Sequence, residues 1–193
     1  MKYLFVSHWL TGVTSLGPGS RIAVYFAGCS KNCPGCEAPS LQNKYNGKAY
    51  EARALAELLN RIGKENGIHA ISITGGDPLE QDKGALELFF KQLAFDDVLL
   101  FTGYTLEEVC EKSFDLFVNK YISVLKTGPY IESLNEGHPL MGSSNQLITY
   151  IDKSKKEMYE QYISETKRNL QYFFSNDGET LYFAGLLPKN KEE

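Results

Sequence analysis

Short apolar runs of strand length alternate with longer amphipathic stretches along the 193 residues of this chain. The runs are "RIAVYFAG" (Arg21 to Gly28), "HAISIT" (His69 to Thr74), "VLLFT" (Val98 to Thr102) and "YISVLK" (Tyr121 to Lys126). Between the first two lies "EARALAELLNRIGKENG", in which Ala54, Leu55, Leu58, Leu59 and Ile62 share one helical face and Gly67 provides a stop. A second helix is expected over Lys83 to Leu93. A third opens at "TLEEVCEK", where Thr105 and Glu108 have the spacing of a capping box, with Leu106, Val109 and Cys110 on its apolar side. Strands alternating with helices predict an α/β fold with a mostly parallel sheet. Beyond Tyr130 the pattern dissolves into the turn-rich "NEGHPLMGSSNQ" and resumes in a strand, "LITYI" (Leu147 to Ile151). The tail changes character. "KSKKEMYEQYISETKRNL" predicts a charged helix with Met158, Tyr162 and Ile163 on one side, and "QYFFSNDGETLYFAGLL" a hairpin turning at Asn176-Asp177-Gly178. The final "PKNKEE" is expected to fray.

Length and composition fit one well-packed domain, a core over residues 1–150 with an accessory helix and hairpin over residues 151–193. A formal charge of -4 with interspersed lysines and glutamates excludes a basic nucleic-acid face and a polybasic membrane segment. "MKYLFVSHWL" is too short, and too polar at Ser7 and His8, for a signal peptide, and no apolar run approaches the ~20 residues that span a bilayer. The expected location is the cytoplasm, where a close group of cysteines points to a metal site over a disulfide framework.

That group is "AGCSKNCPGCEAPS", with Cys29, Cys33 and Cys36 in a Cys-x3-Cys-x2-Cys spacing directly after a strand. Asn32, Pro34 and Gly35 favour a tight loop, so the three thiols can converge. A closed structural zinc site takes four protein ligands, and none of His8, His69 and His138 lies at a finger-like spacing, so zinc requires a distant fourth ligand. A four-iron cluster on three cysteines instead leaves one iron open to a substrate or cofactor. The ordinary alternative is three loop cysteines without a shared role. Cys110, on the apolar side of a helix, is expected to be a small hydrophobe and not a ligand. A second motif, "TGGDPLEQ", follows the strand at His69. Gly75 and Gly76 permit close approach of backbone to a ligand, and Asp77 offers negative charge to an ammonium group; alternatively, Asp77 caps a helix at a strand-to-helix turn.

The cysteine spacing resembles the signature of the radical S-adenosylmethionine enzymes. "GPGSR", "GCSKNCPGC", "TGGDPLEQ", "LFTGYTLEEV", "KTGPYIESL" and "GSSNQ" occur in the order and approximate spacing of the anaerobic (class III) ribonucleotide reductase activating proteins. The resemblance covers about Leu16 to Tyr150. It implies an incomplete (β/α) barrel, a [4Fe-4S] cluster and S-adenosyl-L-methionine as cofactors, and reductive formation of a 5′-deoxyadenosyl radical that generates a glycyl radical on the large reductase subunit. It implies Cys29, Cys33 and Cys36 as cluster ligands, and Gly75, Gly76 and Asp77 at the methionine end of the cofactor. Thr102, Gly103 and Tyr104 either line the cofactor pocket or start a helix. Asn145 either faces the substrate glycine loop or forms a turn, and Arg21 orients the entry to the first strand, pairs with a carboxylate near the cofactor, or lies solvated at the surface. Gly35 stands where many radical enzymes carry an aromatic residue, as in the reductase activators. Glu37 replaces a frequent histidine or asparagine. Where many relatives place a ribose-holding aspartate, this chain offers Ser123, Lys126 and Thr127. The implied partners are the anaerobic reductase, or another glycyl-radical protein, and a flavodoxin-like electron donor. Radical chemistry on a peptide or a purine-like small molecule, as in the deazaguanine-forming relatives, is the alternative; a non-catalytic iron–sulfur or zinc module is another.

Overall fold

The computed structural model describes residues 2–175 and 178–187. Seven strands form one sheet: β1 (Tyr3–Val13), β2 (Arg21–Phe26), β3 (Lys48–Glu51), β4 (Ala70–Gly75), β5 (Asp97–Phe101), β6 (Val124–Thr127) and β7 (Leu147–Tyr150). Their order across the sheet is β3-β1-β2-β4-β5-β6-β7. The central β2, β4, β5 and β6 are parallel, and β1, β3 and β7 pair antiparallel at the two sides. Crossovers between parallel strands carry α1 (Ala52–Asn66), α2 (Lys83–Gln92), α3 (Leu106–Glu111) and α4 (Asp115–Tyr121). The predicted α/β class with a parallel centre is thus present.

Local chemistry sets the helix ends. Glu51 accepts a hydrogen bond from the Ala54 amide at 2.8 Å, and Gly67 closes α1 in the left-handed conformation at φ +64°. Thr105 and Glu108 form the expected capping box on α3.

Period-two alternation splits the sheet into two faces. Ile22, Val24, Phe26, Ile71, Ile73, Val98, Leu100 and Leu125 pack under the crossover helices through Leu55, Leu59, Leu86, Phe89 and Phe117. The intervening Ala23, Tyr25, Leu99, Phe101 and Val124 face the other way. That second face is covered by the tail: α5 (Lys156–Glu165) inserts Tyr159, and the hairpin of β8 (Leu170–Phe174) and β9 (Leu181–Gly185) adds Phe173, Tyr182 and Ala184. All the crossover helices therefore lie on one side and the tail on the other.

Several expectations need correction. The strand at Arg21 is the second, since the unpredicted β1 precedes it; β3 was also not anticipated. Tyr121 closes α4, an unpredicted helix, so the following strand begins only at Val124. On α1, Ala54 is exposed, and Ala52 and Ala56 are buried in its place. Cys110 is exposed on α3, where Val109 alone is buried. On α5, Met158 is 41% exposed and Tyr159 is the buried anchor; the helix ends at Glu165, and Leu170 already belongs to β8. Asn176, Asp177 and "PKNKEE" lie outside the described residues, although Gly178 has the positive φ (+75°) of a turn. Among the described residues no helix is long and apolar enough to cross a membrane.

Candidate functional site

The parallel strands bring their C-terminal ends to one edge, and the segments that leave them line a cavity. Cys29, Cys33 and Cys36 follow β2, Gly76 and Asp77 follow β4, and Thr102 and Gly103 follow β5; Lys126 comes from β6 itself. Apolar residues of the second sheet face, Tyr25 and Phe101, form part of the wall, as do Leu16, Leu140 and Phe183.

Backbone crossing explains the glycine pair. The Gly76 amide donates to Phe26 O and the Asp77 amide to Gly28 O, each at 2.8 Å, which ties the β4 exit to the root of the cysteine loop. A Cβ on Gly75 would strike the Phe26 backbone, and one on Gly76 would lie 2.5 Å from Gly28 O and 2.6 Å from Leu41 O. Gly75 also has φ +116°, so two independent constraints select glycine there.

The cysteine loop is held at its base. Gly28 N donates to Leu41 O at 2.7 Å and Cys29 N to Gln42 O at 2.9 Å. The Ser30 amide and hydroxyl both donate to the Glu80 carboxylate, the amide at 3.0 and 2.9 Å and the hydroxyl at 2.8 Å. Asn32 adopts a left-handed φ of +48°, the tight turn expected there. Burial pushes the Cys29 thiol up to about 11; a backbone hydrogen bond at Lys31 opposes this, and the charges of Asp77 and Glu80 reinforce it. A thiol so placed needs a cation to ionise at neutral pH.

Asp77 is 1% exposed. Its carboxylate accepts from Thr102 Oγ1 at 2.8 and 3.1 Å, from the Gly103 amide at 2.9 Å and from the Leu79 amide at 3.0 Å. The last bond caps the short 3-10 turn Pro78–Glu80, so the capping alternative is realised. Burial pushes Asp77 up to about 6 despite these bonds. Lys126 is buried on the cavity wall, and desolvation lowers it to about 8, against the pull of Asp77, Cys33 and Glu37. Glu37 lines the same cavity and accepts from the Leu187 amide at 3.2 Å.

Not every expected residue arrives here. The Tyr104 ring stands behind the wall, with Lys31 Nζ 3.9 Å from its centroid, and Lys31 itself lines the cavity. Of the candidates at the ribose position only Lys126 reaches the cavity: Ser123 Oγ accepts from the Val98 amide, and Thr127 is buried away from the lining. Asn145 donates to Pro129 O at 2.9 Å and leaves its buried Oδ1 without a partner. Arg21 is neither solvated nor at the cavity: it is 0% exposed and bound to Asp97 at 2.6 Å near the opposite edge of the sheet. Sequence reasoning missed Tyr25, Lys31 and Phe101. Alternation along β2 and β5 marks the two aromatics as sharing a sheet face, but nothing local marks that face as a cavity wall.

A family model described as a 4Fe-4S single cluster domain matches residues 15–149. Over 137 residues the chain is 30% identical to the anaerobic ribonucleoside-triphosphate reductase-activating protein of Enterobacteria phage T4, a match spanning 68% of this chain and 85% of that protein. The protein of the same name from Vibrio cholerae serotype O1 is 32% identical over 142 residues, spanning 68% of this chain and 88% of its own. The chain belongs to the anaerobic ribonucleoside-triphosphate reductase-activating protein family. This is the family that the motif order implied. A shorter segment of 59 residues is 39% identical to a 7-carboxy-7-deazaguanine synthase of Methanothermobacter thermautotrophicus, covering 31% of this chain and 24% of that protein.

The donor set suits an iron–sulfur cluster, in keeping with the family match. Three thiols line one cavity, and none of the three histidines does. Among the described residues no three His, Cys, Asp or Glu side chains are gathered tightly enough to hold a single ion. A cluster makes a different demand, because each cysteine binds its own iron and the thiols need not meet at one point.

Proposed function

We propose that the chain is a radical S-adenosylmethionine activase that generates a glycyl radical on an anaerobic ribonucleoside-triphosphate reductase. The observation that carries this reading is the three-thiol loop facing the β4 and β5 exits across one cavity, in a chain of the reductase-activating family. Cys29, Cys33 and Cys36 would hold a [4Fe-4S] cluster, leaving one iron for S-adenosylmethionine. Held there, the cluster and S-adenosylmethionine would supply reductive cleavage of the sulfonium and, from it, hydrogen abstraction from the Cα of a glycine.

The chain's own residues prepare the site for that chemistry. Gly75 and Gly76 bring the β4 exit against the cysteine loop, and Asp77 fixes the Thr102-Gly103 turn by hydrogen bonds. Lys126 contributes an ammonium donor suited to a carboxylate or a sugar hydroxyl. Tyr25, Phe101, Leu16 and Leu140 give the cavity an apolar lining that would restrict solvent around the bound groups. One-sided winding, with loops converging at the strand C-termini, supports an incomplete (β/α) barrel. The electron donor we propose is flavodoxin-like. Similarity to the deazaguanine synthase covers only 24% of that protein and does not carry a small-molecule substrate.

The test mixes anaerobically reconstituted, reduced protein with S-adenosylmethionine and the anaerobic reductase of the same cell. The expected products are 5′-deoxyadenosine and methionine, with a glycyl radical signal on the reductase by electron paramagnetic resonance. Cys29→Ser, Cys33→Ser and Cys36→Ser should each lose iron and cleavage, while Cys110→Ser keeps both. A loaded cluster without cleavage overturns the radical chemistry. Cleavage without the reductase signal removes the partner alone.

A further inference from the structure

The β8–β9 hairpin has two unlike faces. Its inner face is fixed to the body: Ala184 and Tyr159 belong to one buried cluster, and the Tyr182 ring lies 4.4 Å from His8, which stacks at 4.4 Å on Tyr25. Ser15 Oγ donates to Ala184 O at 2.9 Å, and Gln171 Oε1 accepts from the Thr14 and Ser15 amides at 2.6 and 2.9 Å. On the outer face Tyr172 is paired across the strands with Phe183, and Phe174 with Leu181. These four are 64%, 42%, 71% and 53% exposed. A water-facing hairpin normally alternates apolar-in with polar-out, so two adjacent cross-strand pairs of large apolar residues pointing outward call for a cover.

We infer that this outer face is a docking surface for the protein that receives the radical. The inference rests on the activase reading and adds where the partner sits. Phe183 belongs both to the exposed face and to the cavity wall, and Gly185 and Leu186 continue that wall. A protein that inserts a backbone segment into the cavity must cover its rim, and on this side the rim is β9. Size favours the same occupant. The four side chains expose roughly 400 Å² of apolar surface, about half of the ~800 Å² per partner typical of a stable interface. A partner spanning hairpin and cavity mouth obtains the remainder from the mouth, whereas a second copy lying on the hairpin alone does not. The hairpin lies outside residues 15–149 matched by the family model, so this surface is a feature of the tail.

The experiment uses the cluster-loaded full-length chain and the anaerobic reductase of the same cell. Phe174→Ser/Leu181→Ser and, to preserve strand propensity, Phe174→Thr/Leu181→Thr are compared with wild type; neither residue lines the cavity. Each double variant is expected to weaken reductase binding more than tenfold in titration calorimetry, with unchanged melting and unchanged S-adenosylmethionine cleavage in the absence of reductase. If wild type binds the reductase and both variants bind equally well, the docking surface is overturned and the activase reading stands. Loss of self-association in the variants, with reductase binding intact, assigns the face to a second copy and also overturns the inference. If wild type cleaves S-adenosylmethionine but does not bind the reductase, the reductase reading fails and this surface falls with it.

Discussion

Asp77 holds an ionisable group at the junction of two loops, almost without solvent, and its protonation is tied to folding. Burial raises its pKa from 3.8 to about 6, outweighing the hydrogen bonds from Gly103, Thr102 and Leu79. Between these values the folded chain binds the proton more tightly than the unfolded chain. This group's contribution to stability is therefore fully present below about pH 4 and is lost as pH rises through about 6, a change of about 3 kcal/mol. In Asp77→Asn that dependence should vanish. Urea unfolding of the cluster-free protein and the variant from pH 4 to 7 should show wild-type stability falling relative to the variant; a constant difference would mean that burial does not control this carboxyl. The sequence made Asp77 legible as a candidate through its place after two glycines. It could not reveal that the carboxylate is occupied by Thr102, 25 residues away. The cysteines were legible for the opposite reason, since their grouping is local and survives without knowledge of the fold.

At the scale of elements, an internal ion pair joins the entry edge of the sheet to the tail helix. Arg21 on β2 donates to Asp97 on β5 at 2.6 Å, to Ser72 Oγ on β4 at 2.7 Å and to Ile71 O at 2.9 Å. Tyr159 on α5 donates to the same Asp97 carboxylate at 2.9 and 3.1 Å. Removing one partner of a buried pair leaves an unpaired charge, so Asp97→Ala should cost about 3–5 kcal/mol. Tyr159→Phe removes one hydrogen bond and should cost about 1–3 kcal/mol. Denaturant unfolding of the two variants should give that order; equal losses would show that the tyrosine contact, and not the ion pair, holds this corner. Sequence pattern did not reach this pair: the carboxylate it suggested for Arg21 was one near the cofactor, and Asp97 lies 76 residues on, away from the cavity. It missed β1 for a different reason. Bulges between Val6 and His8 and between Thr11 and Val13 shift the alternation, so Leu4, Val6 and Trp9 pack on one face and Leu10 and Val13 on the other. No single period-two pattern runs through the strand, whereas uninterrupted β2, β4 and β5 were found close to their observed limits.

For the molecule as a whole, the tail is both a cover for the second sheet face and one side of the cavity. Tyr159, Tyr162, Ile163, Phe173, Tyr182 and Ala184 lie over Leu10, Val13, Leu16, Ala23, Leu99, Phe101 and Val124. Arg168 reaches back to the turn-rich loop, donating to Met141 O at 2.6 Å, His138 O at 3.1 Å and Asn135 Oδ1 at 2.8 Å. Just beyond β9 the Leu187 amide donates to Glu37, next to the last cysteine of the loop. One segment thus restrains two loops at the mouth and shields the apolar wall between them. Burial of a large apolar side chain contributes about 1.5–3 kcal/mol, so losing several of these contacts removes an amount comparable to the ~5–15 kcal/mol of a whole domain. A chain ended after Asp152 should therefore melt well below the full chain and bind a hydrophobic dye through its uncovered face. Arg168→Ala separates the two roles, because it unties the loop while the apolar cover remains in place. In that variant limited proteolysis between Asn135 and Met141 should accelerate, with dye binding unchanged. A truncated chain that keeps the full-length melting temperature would show that the second face is stable without its cover, and that the tail's part in the molecule lies at the cavity mouth alone.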